Sequence, residues 1–124
     1  MSIQESGEMY LEAIYVLNKK LGNVRSIDVC EYLGYSKPSV SRAVGLLKKG
    51  GYLIMETDGR LTLTDLGTEI GKKIYDRHTV LTNLFLALGV SEQTATEDAC
   101  KIEHNISDET FNAIKQYMQK SKEF

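Results

Sequence analysis

Several features are scarce in this sequence, and each scarcity excludes something. No apolar run approaches the ~20 residues that a bilayer-spanning helix requires, so no segment is expected to cross a membrane. The opening stretch MSIQESGEMY lacks the basic and apolar regions of a secretory signal, which predicts residence in the cytoplasm. The two cysteines, Cys30 and Cys100, lie far apart and form no C-x-x-C, so both are expected to be free thiols, buried and inert by default. Net charge is only −2, so a nucleic-acid partner has to be read from the distribution of charge and not from its sum. Internal repeats and low-complexity tracts are absent, and the single proline is Pro38.

What is present is an ordinary globular composition, 42% apolar and 26% charged over 124 residues, enough to build a core without staples. Helical periodicity dominates. A first helix is predicted over residues 5–20, with Met9, Tyr10, Ile14, Val16 and Leu17 as its apolar stripe. A second is predicted over 26–33, with Ser26 as N-cap, Ile27, Val29, Cys30 and Leu33 facing inward, and Gly34 beyond its end. A third follows at once, capped by Ser36, with Pro38 in its first turn and Val40, Val44, Leu46 and Leu47 as its apolar face. The strand-like runs 52–56 and 60–63 flank Asp58-Gly59, a strong hairpin signal. Thr64 and Asp65 open a long helix to about residue 88. A fifth helix is capped by Ser91 and reaches residue 104, and a sixth begins at Ser107-Asp108-Glu109. The expected fold is mainly α, with an N-terminal winged helix-turn-helix domain over 1–70 and a helical domain over 71–124.

Two short helices joined by Gly34-Tyr35-Ser36 and followed by a hairpin match the winged helix-turn-helix order. Residues 36–51 contain Lys37, Arg42, Lys48 and Lys49 and no acid. Ser39 and Ser41 are small hydroxyls that can approach phosphates and base edges. Arg42 suits bidentate contact to guanine, Lys37 and the helix N-terminus suit phosphate, and Arg60 at the wing tip suits a minor groove or phosphate. The candidate DNA-contacting set is Ser36, Lys37, Pro38, Ser39, Ser41, Arg42 and Arg60. The plainer alternatives are a solvated polar helix face or a winged head that binds protein.

Cys100, Glu103 and His104 form C-x-x-E-H. Positions i, i+3 and i+4 share a helical face, so a thiolate, a carboxylate and an imidazole can converge there, and all are transition-metal ligands. The alternative is a buried cysteine, a surface glutamate and a histidine that caps a helix end. His78 is the only other histidine, and Met9 and Glu12 share a face of the first helix. Core packing is the ordinary role of a helical methionine.

The segments Glu8-Met9-Tyr10-Leu11-Glu12-Ala13-Ile14-Tyr15, Ser36 to Arg42, Leu63-Thr64-Asp65-Leu66-Gly67, Arg77-His78 and Cys100 to Ser107 resemble the DtxR/MntR family of metal-dependent transcriptional repressors. The resemblance implies a homodimer whose winged head binds a palindromic operator in double-stranded DNA, controlling metal-uptake genes. The helical half would supply metal binding and dimerisation, and the SH3-like domain of larger members would be absent. Met9, Cys100, Glu103 and His104 match the ligand pattern of the iron-type branch. Glu12 matches the manganese-type branch, and His78 matches both. Thr82 and Thr96 stand where the iron-type ancillary site has a carboxylate and a histidine, so the second cluster implied here is a hybrid of His78, Glu12 and Glu103. A thioether and a thiolate are soft donors, which favours Fe²⁺ as corepressor with Mn²⁺ as runner-up. A winged-helix regulator with an organic effector is the alternative. No H-E-x-x-H or comparable motif supports an enzyme.

Overall fold

A computed structural model describes residues 4–121. The chain forms helices α1 (Glu5–Leu21), α2 (Ser26–Leu33) and α3 (Lys37–Lys49), strands β1 (Leu53–Met55) and β2 (Leu61–Leu63), and helices α4 (Asp65–Ala87), α5 (Glu92–Ile102) and α6 (Asp108–Ser121). It divides into two compact units, one ending at Lys73 and one beginning at Ile74, so α4 contributes its first turns to one and the rest to the other.

The first unit is a three-helix head with a two-stranded wing. Leu11, Ile14, Val24, Val29, Val40, Val44, Leu53 and Leu61 are essentially sealed from solvent and form its core. The strands pair antiparallel with Leu53 opposite Leu63 and Met55 opposite Leu61. Leu61 N–H donates to the Val24 carbonyl at 2.7 Å, which ties the wing to the loop after α1. The wing turn holds three residues, 57–59, between Glu56 and Arg60, whose backbones bond at 2.8 Å. Only Gly59 adopts positive φ there, at 90°, because Asp58 stays in the ordinary region. A two-residue turn would have required positive φ from Asp58 as well.

The start of α4 packs by close backbone approach. A Cβ at Gly67 would overlap the Tyr52 carbonyl oxygen, and one at Gly71 would lie 2.7 Å from the Leu11 carbonyl oxygen. Thr64 caps this helix: its hydroxyl accepts from Gly67 N–H at 3.2 Å and donates to the Gly51 carbonyl at 2.7 Å. The second unit buries Ile74, Leu81, Ala95, Ala99 and Phe111. Ser91 caps α5 by accepting from Thr94 N–H at 3.4 Å, and Ser107 caps α6 by accepting from Thr110 N–H at 3.1 Å.

Several local expectations need correction. Ser26 is the first helical residue of α2 and not its cap. Arg25 holds the cap position, where its N–H donates to the Asp28 carboxylate at 2.9 Å. Ile27 is 46% exposed and Leu46 is 64% exposed, because α2 and α3 are each buried along a narrower stripe than their apolar pattern suggests. Cys30 is buried as expected, but Cys100 is exposed. Helix α5 stops at Ile102, so Glu103 is its C-cap and His104 lies beyond it.

Candidate metal centre and nucleic-acid interface

Helix α3 presents a polar face. Lys37, Pro38, Ser39, Ser41 and Arg42 are all exposed, while Val40, Val44 and Leu47 on the opposite side enter the core. The Ser36 hydroxyl accepts from Ser39 N–H at 3.3 Å and also donates to the Ser39 hydroxyl at 3.0 Å. One of the N–H groups at the helix start is thereby satisfied, Pro38 contributes none, and Lys37 stands at the first helical position. At the wing, Arg60 Nε lies 2.8 Å from Asp58 Oδ2 in an exposed pair. Arg25 reaches the same residue, its Nε donating to the Asp58 carbonyl at 3.3 Å. Hydrogen bonds from the backbone and side chain of Arg60 hold the Asp58 carboxyl below the usual carboxylate range. The wing tip is therefore two cations organised around one anion.

Arg25 also lines a cleft of about 330 Å³ together with Ser26, Lys37, Ser41, Met55 and Gly59. Reading the sequence for basic residues on the third helix and the wing misses Arg25, which enters this face from the N-cap of α2. Its one local signal is its place between Gly22-Asn23 and a helix start.

In the second unit, α4 supplies His78, α5 supplies Cys100, and the end of α5 supplies Glu103. One ligand atom from each lies within 4.8 Å of the others. His78 Nδ1 stands 2.8 Å from Glu103 Oε2 and 3.7 Å from Cys100 Sγ. The second carboxylate oxygen, Oε1, is 3.4 Å from His104 Nε2. Glu103 thus lies between two imidazoles, one on each oxygen. It is only 2% exposed, unlike the surface glutamate of the plainer alternative. Burial raises its carboxyl pKa, but hydrogen bonds from His104 and then His78 outweigh that and hold it below the ordinary value. A buried carboxylate without such partners would be costly.

These donors fit a transition-metal ion. Sulfur, imidazole nitrogen and carboxylate oxygen form a mixed, partly soft set. Donors that share an ion at about 2.0–2.3 Å stand roughly 3–4 Å apart, close to the spacing found here. Metal requires the ligands to lose their protons, so an ion would take the place of the proton that His78 Nδ1 shares with Glu103. Met9 and Glu12 belong to the first unit and are half-buried on α1; Met9 Sδ accepts from the Tyr35 hydroxyl at 3.7 Å. The Thr82 hydroxyl, one turn after His78, is buried and has no hydrogen-bond partner among the described residues.

Two family models match nearly the whole chain. The iron-dependent repressor N-terminal DNA-binding domain matches residues 2–61, and the iron-dependent repressor metal-binding and dimerisation domain matches residues 64–123. An uncharacterized HTH-type transcriptional regulator of Methanocaldococcus jannaschii is 36% identical over 124 residues, covering 98% of each chain. The HTH-type transcriptional regulator MntR of Bacillus subtilis is 36% identical over 114 residues, 92% of this chain and 80% of that one. Among solved structures, the manganese regulator SloR superposes with a TM-score of 0.79 at 22% identity, covering 96% of this chain. This chain spans only 55% of SloR. A hypothetical protein from Sulfolobus solfataricus superposes with a TM-score of 0.70 at 23% identity, covering 95% of this chain and 91% of that one.

Proposed function

This chain belongs to the DtxR/MntR family of metal-dependent transcriptional repressors, and from that premise we propose an iron-responsive repressor that acts in the cytoplasm on metal-uptake genes. The family consists of DNA-binding, dimer-forming regulators and not of enzymes. In the proposed division of labour, residues 1–70 read DNA and residues 71–124 bind metal and dimerise. The homodimer grips a palindromic operator through Ser36, Lys37, Pro38, Ser39, Ser41, Arg42 and Arg60, with Arg25 added from the cleft.

The observation that carries the choice of iron is Cys100 Sγ placed with His78 and Glu103. A thiolate disfavours Mn²⁺ relative to Fe²⁺ and later metals. His104 extends the ligand set through the far oxygen of Glu103, and Met9 and Glu12 join it on the chemistry of their side chains and the family pattern. Metal that binds the DNA-competent arrangement more tightly shifts the population towards it, and DNA then raises metal affinity by the same factor. A manganese-responsive repressor is the second reading, favoured by relatives whose names specify MntR or a manganese regulator.

Anaerobic operator-binding titrations with Fe²⁺, Mn²⁺, Zn²⁺ and Co²⁺, on a duplex recovered by selection from random DNA, separate these readings. Activation by Fe²⁺ at free concentrations at or below those needed for Mn²⁺ is expected. Activation by Mn²⁺ at far lower free concentration than Fe²⁺ would establish the manganese reading.

A further inference from the structure

Beside the cluster stands a charge that the ligand pattern does not use. Arg77 precedes His78 on α4, and its residue surface is only 5% exposed. A buried guanidinium is costly unless most of its donors are satisfied. Nε is buried with no hydrogen-bond partner among the described residues, and the two terminal nitrogens make the bonds. Here Nη1 donates to two backbone carbonyls, Glu103 at 3.0 Å and Ile106 at 2.9 Å. Nη2 pairs with the Asp108 carboxylate at 2.5 Å. The guanidinium also lies over the Phe111 ring, 5.6 Å from its centroid.

Two of the three hydrogen-bonded partners belong to the turn that carries the ligands out of α5, and the third, Asp108, opens α6. That turn also has local bonds of its own. Its backbone bonds include Asn105 N–H to Ile102 O at 2.9 Å and Ile106 N–H to Ile102 O at 3.0 Å. Carbonyls at a helix C-terminus lack intrahelical partners and carry partial negative charge, which a cation satisfies. Consecutive residues of α4 therefore grip the two ends of one ligand: Arg77 holds the backbone of Glu103 and His78 holds its carboxylate.

We infer that Arg77 is a positioning residue of the metal centre, fixing the 103–108 turn so that Glu103 and His104 meet the metal with preset geometry. The inference rests on the metal-binding reading of this cluster. A metal site tolerates only about half an ångström of ligand displacement, and outer partners of ligands typically govern metal affinity by about 10–100-fold. Lysine cannot replace this arrangement, because one ammonium lacks the planar fork that serves two carbonyls and a carboxylate together.

The test is an anaerobic Co²⁺ titration of the full chain followed by absorption, with Mn²⁺ calorimetry alongside. Arg77→Lys and Arg77→Met should each weaken Co²⁺ binding about 10–100-fold and alter the ligand-field bands. Lys115→Met removes an ion pair with Asp76 at 2.7 Å, away from the turn, and should leave affinity and spectrum unchanged. Arg77→Lys that folds, melts lower and yet binds Co²⁺ with wild-type affinity and spectrum would overturn the inference and leave Arg77 a purely structural residue. Should both Arg77 variants fail to fold, Asp108→Asn serves instead. It should show a smaller loss in the same direction, and unchanged affinity there would also overturn the inference. Failure of the metal reading itself shows earlier and separately: the wild-type chain would take up no Co²⁺, or Cys100→Ser would leave the sulfur-to-cobalt band in place.

Discussion

Three glycine-to-alanine substitutions in the head should split by sign, although the chemical change is the same in each. In a helix interior, alanine is favoured over glycine by roughly 1 kcal/mol, because glycine loses more backbone freedom on folding. Gly45, inside α3, has nothing within 4 Å of an added Cβ, so Gly45→Ala should realise most of that gain. Gly67 and Gly71 lie inside α4 and start with the same propensity advantage. At Gly67 the added carbon overlaps the Tyr52 carbonyl oxygen, and at Gly71 it falls 2.7 Å from the Leu11 carbonyl oxygen. In both cases the obstacle is backbone, which cannot turn aside as a side chain can.

Relieving such overlap costs about 1–3 kcal/mol where packing is tight. At Gly67 the displaced carbonyl also accepts from Thr64 N–H at 3.1 Å, and weakening that bond costs roughly 1 kcal/mol more. Net of the propensity gain, Gly67→Ala should lose about 1–3 kcal/mol and Gly71→Ala about 0–2 kcal/mol. Urea unfolding at one fixed protein concentration measures all three, the fixed concentration removing the contribution of dimerisation. A Gly67→Ala protein as stable as Gly45→Ala would refute the close approach of α4 to the wing.

His104→Ala should abolish metal-dependent operator binding while helical circular dichroism is retained, since His104 leaves α5 intact and touches Glu103 Oε1 at 3.4 Å. Retained metal-dependent binding in a mobility-shift assay would remove His104 from the ligand set. Asp58→Asn should strengthen DNA binding severalfold at low salt and steepen its salt dependence by up to about one phosphate equivalent, because Arg60 and Arg25 lose their internal anion. Stability should hardly change, exposed ion pairs being worth about 0–1 kcal/mol. Weaker DNA binding in that variant would show that Asp58 orients the arginines more than it neutralises them.

Features set by neighbours in sequence were legible before the structure. Ser36 as cap and Gly59 as the turn residue follow from local chemistry, and so do the succession of six helices and the hairpin. Features set by a remote surface were not. Nothing near Gly67 in the sequence announces that Tyr52 presents a carbonyl to it. Ile27 and Leu46 look inward by periodicity, yet solvent reaches both, because which part of an apolar stripe is covered depends on the neighbouring elements and not on the helix itself. Arg25 joins the cleft beside Lys37 and Ser41 from the N-cap of α2, its Nε bonded to the Asp58 carbonyl of the wing, a placement that no count of basic residues on α3 would find.

The ligand cluster shows where spacing succeeds as a guide and where it stops. The C-x-x-E-H pattern places three donors on one helical face only while the helix continues. Here α5 ends at Ile102. Cys100 and Glu103 still converge, because Glu103 keeps its helical bond to Ala99 O at 2.9 Å. His104 is carried past the end and meets the far side of the carboxylate. The third donor beside Cys100 and Glu103 is then His78, from a different helix and 22 residues away from Cys100. A carboxylate with an imidazole on each oxygen is more constrained than three donors along one helix. Moving either imidazole removes one of the hydrogen bonds that hold the pKa of the buried Glu103 carboxyl down. In the proposed metal centre, donor identity, Cys100 Sγ above all, therefore acts together with how firmly the turn after α5 is held.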